Sequence, residues 1–271
     1  MRVEISSPPK YMLGAIIGDI VGSIYEFANI FTEDFPLFVK GDSITDDSVL
    51  TCAVAQAFLN SHNNDTPLYD ELVGCLQSFG RNYPEAGYGR RFMDWIWTDD
   101  PEPYNSWGNG APMRCSPAGW VTDDPDKAYA LGEATAEPTH NHPHAMKAAG
   151  VTAALICMAR NKASVEDMKT YALSQYPIPP LDFLRSHYEY TESSSGSMPA
   201  ALSCFFNSTS FEDCIRKAIS IGGDSDTLAA IAGSIAEAYY GIPDYIKRTA
   251  WDYVPKELRQ VLHNFNDTFL T

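Results

Sequence analysis

Residues 222–241 read GGDSDTLAAIAGSIAEAYYG. From Asp226 to Tyr240 the run holds one further charged residue, Glu237, and sets Ala, Gly or Ser on several sides of any helix drawn through it. A surface helix keeps a polar stripe, so a helix with small residues on several faces is one surrounded by others. Gly241 followed by Pro243 closes it. The run 143–160, with GVTAALICMA at its centre, has the same character and predicts a second enclosed helix.

Outward from these two, apolar residues recur at i, i+3, i+4 and i+7, and almost nothing alternates with period two. The class is therefore all-α, a compact single-domain array of 12–13 helices over 1–271. Helices are expected at 12–27, 46–60, 67–80, 88–97, 109–120, 126–136, 143–160, 165–174, 180–187, 198–207, 211–220, 226–240 and 244–263. Thr45, Ser164 and Ser210 stand where N-caps belong, each followed by acids in the first turn. The stretch Ser193–Ser194–Ser195–Gly196 reads as the most flexible loop.

Of the 271 residues, 45% are apolar and 20% charged, enough for a core and too apolar for a disordered chain. A net charge of −16 opposes general nucleic-acid binding, while leaving room for a local pocket that takes a phosphorylated ligand. No run approaches the roughly 18 to 20 apolar residues of a membrane span. The start, MRVEISSPPKYMLGAIIGDIVG, lacks a secretory layout, so a cytoplasmic protein is expected, with no membrane partner. Cysteines at 52, 75, 115, 157, 204 and 214 form no C-x-x-C pair and read as reduced core residues. A monomer is expected, since no heptad seam or long exposed apolar stripe is evident.

Acids become informative where they sit beside Gly and Thr at the mouths of apolar helices. In GGDSDT, Asp224, Asp226 and Thr227 follow a Gly pair that lets the backbone turn sharply, an arrangement suited to a hard cation. An N-cap or Asx-turn would use only one of these acids. In TDDS, Thr45, Asp46 and Asp47 repeat the pattern at another helix start, where a cap explains Thr45 and the helix dipole one Asp. If the two starts face each other, four carboxylates lie together and require divalent cations to offset their repulsion. With neither Cys nor His beside them, Mg²⁺ or Mn²⁺ is favoured over zinc.

GDIVGSIYE spaces Gly14, Gly18 and Gly22 four apart, which close helix packing alone explains. Glu26 falls on roughly the face of Asp19 and Gly22, beside Tyr25 and Phe27, where a partly desolvated carboxylate can act as a base. SWGNGAPMRC places Ser106, Gly108, Asn109 and Gly110 in a loop that either offers backbone N–H groups to phosphate or forms a plain turn. Arg114 adds a cation there or pairs with structural acids. In THNHPH, Pro143 separates His140 from His144 and spoils a two-His zinc face; His142 is the candidate for touching substrate and His144 a surface residue.

In this order, GDIVGSIYE, TDDS, SWGNGAPMR, THNHPHA and GGDSDTLAAIAGSIAEAYYG resemble the ADP-ribosylglycohydrolase family, of the dinitrogenase-reductase-activating glycohydrolase type, over 12–242. The resemblance implies an all-α fold with two Mg²⁺ or Mn²⁺ ions in a cleft that hydrolyses the bond from ADP-ribose to a protein side chain. It implies metal ligands at Thr45, Asp46, Asp47, Asp224, Asp226 and Thr227, with Glu26, Asp46 and Asp226 catalytic. It further implies substrate contacts from Ser106, Trp107, Gly108, Asn109, Gly110 and, in the His-bearing segment, His142.

This chain has Ser23-Ile24-Tyr25 where the family often has Pro, and TDDS for the commoner TDDT. Both departures keep the oxygen ligands and leave the leaving-group side of the cleft open. In RRFMDWIWTDDPEPYN, 90–105, Asp99 or Asp100 either pairs with a departing guanidinium or is a solvated loop acid. The leading expectation is hydrolysis of ADP-ribosyl-protein, arginine-linked ahead of serine-linked, or of a small O-linked ADP-ribose conjugate. The alternatives are a non-catalytic ADP-ribose or partner-binding protein and a dinuclear phosphoester hydrolase.

Overall fold

A computed structural model describes residues 12–270. The opening stretch read for a leader lies half outside it, since residues 1–11 are not among those described. Thirteen α-helices are described: α1 Gly14–Gly22, α2 Asp46–Asn64, α3 Leu68–Asn82, α4 Arg90–Ile96, α5 Pro125–Ala136, α6 Pro143–Arg160, α7 Val165–Gln175, α8 Leu181–His187, α9 Ser194–Phe206, α10 Phe211–Ser220, α11 Ser225–Tyr240, α12 Asp244–Tyr253 and α13 Lys256–Phe269. No strand is found among the described residues; one isolated bridge joins Gly108 to Ser193. No described helix is long and apolar enough to cross a membrane.

The two charge-poor runs form the centre. Helix α11 is buried from Ser225 to Glu237 and packs on α1, α6, α9 and α10. Helix α6 packs on α5, α7, α9 and α11. All six cysteines are free and buried, and Ser164 and Ser210 cap α7 and α10 by accepting the N–H of Asp167 and Asp213.

Against α11, helix α1 lies at backbone contact, and its glycines make this possible. A Cβ added at Gly14 would stand 2.3 Å from Gly233 O, one at Gly18 2.2 Å from the Ala229 carbonyl, and one at Gly22 2.3 Å from Asp226 Cα. The spacing-four glycines therefore serve close packing, and through it they bring the last turn of α1 against the first turn of α11.

Helix starts here are capped from a distance. Glu237, inside α11, accepts the N–H groups of Leu13, at 3.0 Å, and Gly14, at 2.7 Å, at the head of α1. Asp19, inside α1, does the same for α2: its carboxylate accepts the N–H of Thr45 at 2.9 Å and of Ser48 at 3.0 Å. Thr45 occupies the N-cap position, but its side chain makes no capping bond; its hydroxyl donates to Asp19 at 2.6 Å.

Four expected elements differ. Helix α1 stops at Gly22, so Glu26 reaches the interior from the turn beyond it and not from a helical face. Residues 109–120 form successive turns and a short 3₁₀ helix, Ser116–Gly119, because Gly110, Pro112 and Pro117 interrupt any α ladder. Ser193–Gly196 is not a flexible loop: Ser193 caps α9 by accepting the Gly196 N–H, and the helix starts at Ser194 with Pro199 inside it. The expected 244–263 helix is two, because Pro255 forces Val254 into an extended conformation, φ −82° and ψ 124°.

The α1–α11 contact gives a direct test. Gly18→Ala is expected to lower unfolding free energy by about 3 kcal/mol, since neither backbone can yield. Gly74→Ala, within α3 and with nothing within 4 Å of the new methyl, should raise it by about 0.5–1 kcal/mol. Urea unfolding midpoints of the two variants check the pair.

Candidate active site

The head of α2, the end of α1 and the head of α11 meet at a cleft of about 590 Å³. The turn into α11 uses Gly222 and Gly223 at φ 78° and 72°, a region that favours glycine. The Asn29 side chain clasps this turn, accepting the Gly223 N–H and donating to the Gly223 carbonyl, both at 2.9 Å. The loop carrying Glu26 is thereby tied to the turn carrying Asp224.

Two carboxylate groups result. Asp19, Asp47 and Asp226 offer oxygens within 4.8 Å of one another, as do Glu26, Asp224 and Asp226, so Asp226 belongs to both. Asp19, Asp47, Asp224 and Asp226 are buried, and Glu26 is half-buried. Asp46 lines the cleft beside them, its own N–H bound to the Ala86 carbonyl at 2.8 Å. Thr227 donates its hydroxyl to Asp47 at 3.2 Å, and Asn109 donates its amide to Asp224 at 2.7 Å. The other Asp47 oxygen is buried with no hydrogen-bond partner among the described residues.

Among the described residues, no ion pair includes any of these six acids. Burial, with repulsion between neighbouring carboxylates, therefore favours the protonated forms of Glu26, Asp46, Asp47 and Asp226. Burial first, then Asp19 and Asp224, push Asp46 up to about 8; burial, with Asp224 next, pushes Glu26 to about 7. Asp47 and Asp226 are driven well above the carboxylate range for the same reasons. An oxygen-only set with an orphaned carboxylate oxygen and no basic partner fits a hard divalent cation.

The structure gathers Thr45, Asp46, Asp47, Asp224, Asp226, Thr227 and Glu26 on this cleft, together with Ser106, Trp107, Gly108, Asn109 and Gly110. Three N–H groups of this loop are engaged within the protein. The N–H of Ser106 goes to Thr139 O at 3.2 Å, that of Gly108 to Ser106 Oγ at 3.2 Å and that of Asn109 to Glu192 O at 2.7 Å. Arg114 is fully buried and makes no ion pair among the described residues; it donates to Thr135 O and to the Thr139 hydroxyl.

His142 is not among the cleft-lining residues. It caps α6, its Nδ1 accepting the His144 N–H at 3.1 Å, and its ring lies edge-on to His144. His140 lines the cleft instead. Pro143 carries the signal: proline at the first helical position marks the residue before it as a cap. Asp99 and Asp100 are exposed and stand apart from the cleft, whereas Arg90, Arg91 and Tyr104 of the same segment line it.

The mouth holds residues that the motifs do not mark. Phe27, 85% exposed, stacks on Tyr190 at 6.4 Å. The Tyr190 phenol donates to Glu26 at 3.1 Å and stands 3.4 Å from Glu192. Asp19 also belongs with the site; it is an apolar-context acid in the motif, but its partners lie 26 to 29 residues away.

The ADP-ribosylglycohydrolase family model matches residues 10–270, beyond the span that the motifs carry. The chain is 26% identical to ADP-ribosylarginine hydrolase Tri1 of Pseudomonas putida (strain GB-1), covering 93% of this chain and 76% of that protein. It is 28% identical to ADP-ribosyl-[dinitrogen reductase] glycohydrolase of Rhodospirillum rubrum, over 86% of this chain and 85% of that one. Mouse ADP-ribosylhydrolase ARH3 is 23% identical, over 95% and 87%. A solved structure titled ADP-ribosylglycohydrolase-related protein complex superposes with a TM-score of 0.69 at 24% identity, covering 94% of this chain and 95% of that one, and has the same fold. With nearly the whole chain matched by the family model and the acids gathered at one cleft, this protein belongs to the ADP-ribosylglycohydrolase family.

Proposed function

We propose that this chain is a cation-dependent hydrolase that cleaves the glycosidic bond between ADP-ribose and a protein side chain, arginine ahead of serine, and releases ADP-ribose. The observation that carries it is the pair of carboxylate groups sharing Asp226, with no basic partner, on a cleft. Thr45, Asp46, Asp47, Asp224, Asp226 and Thr227 would hold two Mg²⁺ or Mn²⁺ ions, with Asp19 against them. When bound, the ions orient ribose hydroxyls and lower the pKa of a water.

The chain's own residues supply the rest. Cleavage at C1 of the ribose develops positive charge, which the surrounding carboxylates stabilise more in the transition state than in the ground state. Glu26, near 7, exchanges a proton readily at neutral pH, and the Tyr190 hydroxyl holds its carboxylate at the mouth. Water adds its hydroxyl to C1 and the leaving nitrogen gains the proton, with Glu26 as the exchanging group. Asn109 fixes Asp224 and so joins the substrate loop to the acids.

Preference for arginine is supported by the mouth: Glu26 and Glu192 with the exposed rings of Phe27, Tyr190 and Trp107 suit a planar cation better than an uncharged serine oxygen.

Free ADP-ribose is expected from an arginine-modified protein with Mg²⁺ and not with EDTA, with slower release from a serine-modified peptide; AMP as product would replace this reading with phosphoester cleavage. Asp46→Ala and Asp226→Ala should each lower kcat by on the order of 10³-fold. Glu192→Gln should raise KM about fivefold for the arginine-linked substrate and leave the serine-linked one unchanged.

The raised carboxyl groups also set a pH dependence. Their folded-state pKa values, about 8 for Asp46 and about 7 for Glu26, exceed the unfolded 3.8 and 4.5. Their contribution is therefore full below about pH 4 and is lost as pH rises through 7 to 8. Tm of the EDTA-treated protein should fall from pH 5 to 8.5, and Mg²⁺ should raise it again at pH 8, each bound ion adding about 2.7 kcal/mol to the unfolding free energy at a hundredfold excess over Kd. A flat Tm in EDTA, or no Mg²⁺ effect, would count against the cation site.

A further inference from the structure

Arg114 is a fully buried cation that makes no ion pair among the described residues. Its Nη2 donates to the Thr135 carbonyl at 3.1 Å and to Thr139 Oγ1 at 2.7 Å, and its Nε and Nη1 have no hydrogen-bond partner among the described residues. Burial pulls the guanidinium down to about 10, which leaves it charged at neutral pH. Thr139 Oγ1 in turn lies 2.7 Å from His140 Nδ1.

The direction of this chain of bonds follows from its donors. A guanidinium only donates, and the Tyr104 phenol, the more acidic of the two hydroxyls that meet here, donates to Thr139 as well; both lone pairs of Oγ1 are then used and its single proton is left for His140 Nδ1. A proton on Nδ1 would point at an oxygen already loaded by a positive charge, whereas a lone pair there accepts the hydroxyl. The remaining ring proton then sits on Nε2. That nitrogen faces the substrate loop: a Cβ added at Gly110 would stand 3.0 Å from it and one at Gly108 3.5 Å. Burial, with Arg114 and Arg91 nearby, keeps the ring uncharged.

We propose that Arg114 and Thr139 are positioning residues that lock His140 as the neutral Nε2–H tautomer, so that an N–H and not a lone pair faces an anion held against Gly108–Gly110. The identity of that anion as the diphosphate of ADP-ribose rests on the function proposed above; the tautomer does not. The opposite tautomer would set a lone pair against the anion and weaken its binding about tenfold.

The test is ¹⁵N NMR of the imidazole nitrogens in the full chain without ligand, with the His140 signals assigned by their loss in His140→Gln. The expected spectrum shows Nδ1 unprotonated and Nε2 protonated from pH 6 to 8. A protonated Nδ1, as the other tautomer or as imidazolium, overturns the proposal, and this reading of the wild-type protein needs no variant to fold. Thr139→Val should then mix the tautomers and raise the ADP-ribose dissociation constant and KM about tenfold with kcat kept, and Thr139→Ser should restore both. An unchanged tautomer in Thr139→Val also overturns it. Failure of the wild-type protein to bind ADP-ribose, with the expected tautomer present, would sink the functional reading and leave the tautomer lock standing.

Discussion

The backbone contact between α1 and α11 is the constraint on which the site depends. With no side chains between them at Gly14, Gly18 and Gly22, the two helices approach until Asp19 of one stands beside Asp226 of the other. From there the order propagates by capping across elements: Glu237 of α11 satisfies the head of α1, and Asp19 of α1 satisfies the head of α2. Three helices are thus registered to one another through two helix heads bound to buried carboxylates, and such bonds hold only if the spacing is right to within a few tenths of an ångström.

That arrangement concentrates like charges where they are costly. Asp19 is tolerable because four donors surround it, two N–H groups and the hydroxyls of Thr45 and Ser48. Asp47 and Asp226 have fewer donors, so their environment is complete only with a proton or a cation. The fold thereby makes the acids suitable for cation chemistry by denying them anything else. A carboxylate near neutrality, Glu26, stands at the border of this region, where protein meets solvent.

Much of this was legible in the sequence because its signals are local. Helical periodicity, serine caps, a Gly-Gly turn before Asp224 and acids intruding into apolar runs each lie within a few residues of their effect. What escaped is long-range. Asp19 and Glu237 act on donors 26 and 224 residues away. His140 and His142 are alike by composition, and only the capping geometry at Pro143 separates them. The turns at 109–114 carry an apolar pattern that proline and glycine override, and Phe27, Tyr190 and Glu192 meet at the mouth only through tertiary structure.

The floor and the rim of the cleft are built by different rules. Floor acids stand on helix ends pinned by glycines and caps, where a methyl group too many displaces a helix. Rim side chains stand on the segments after α1 and before α9, largely exposed and packed against little. Mutations can therefore accumulate at the rim with small effects on folding while the floor tolerates almost none. Such a division makes the scaffold evolvable: the acidic floor can be kept while a handful of surface positions around it are rewritten.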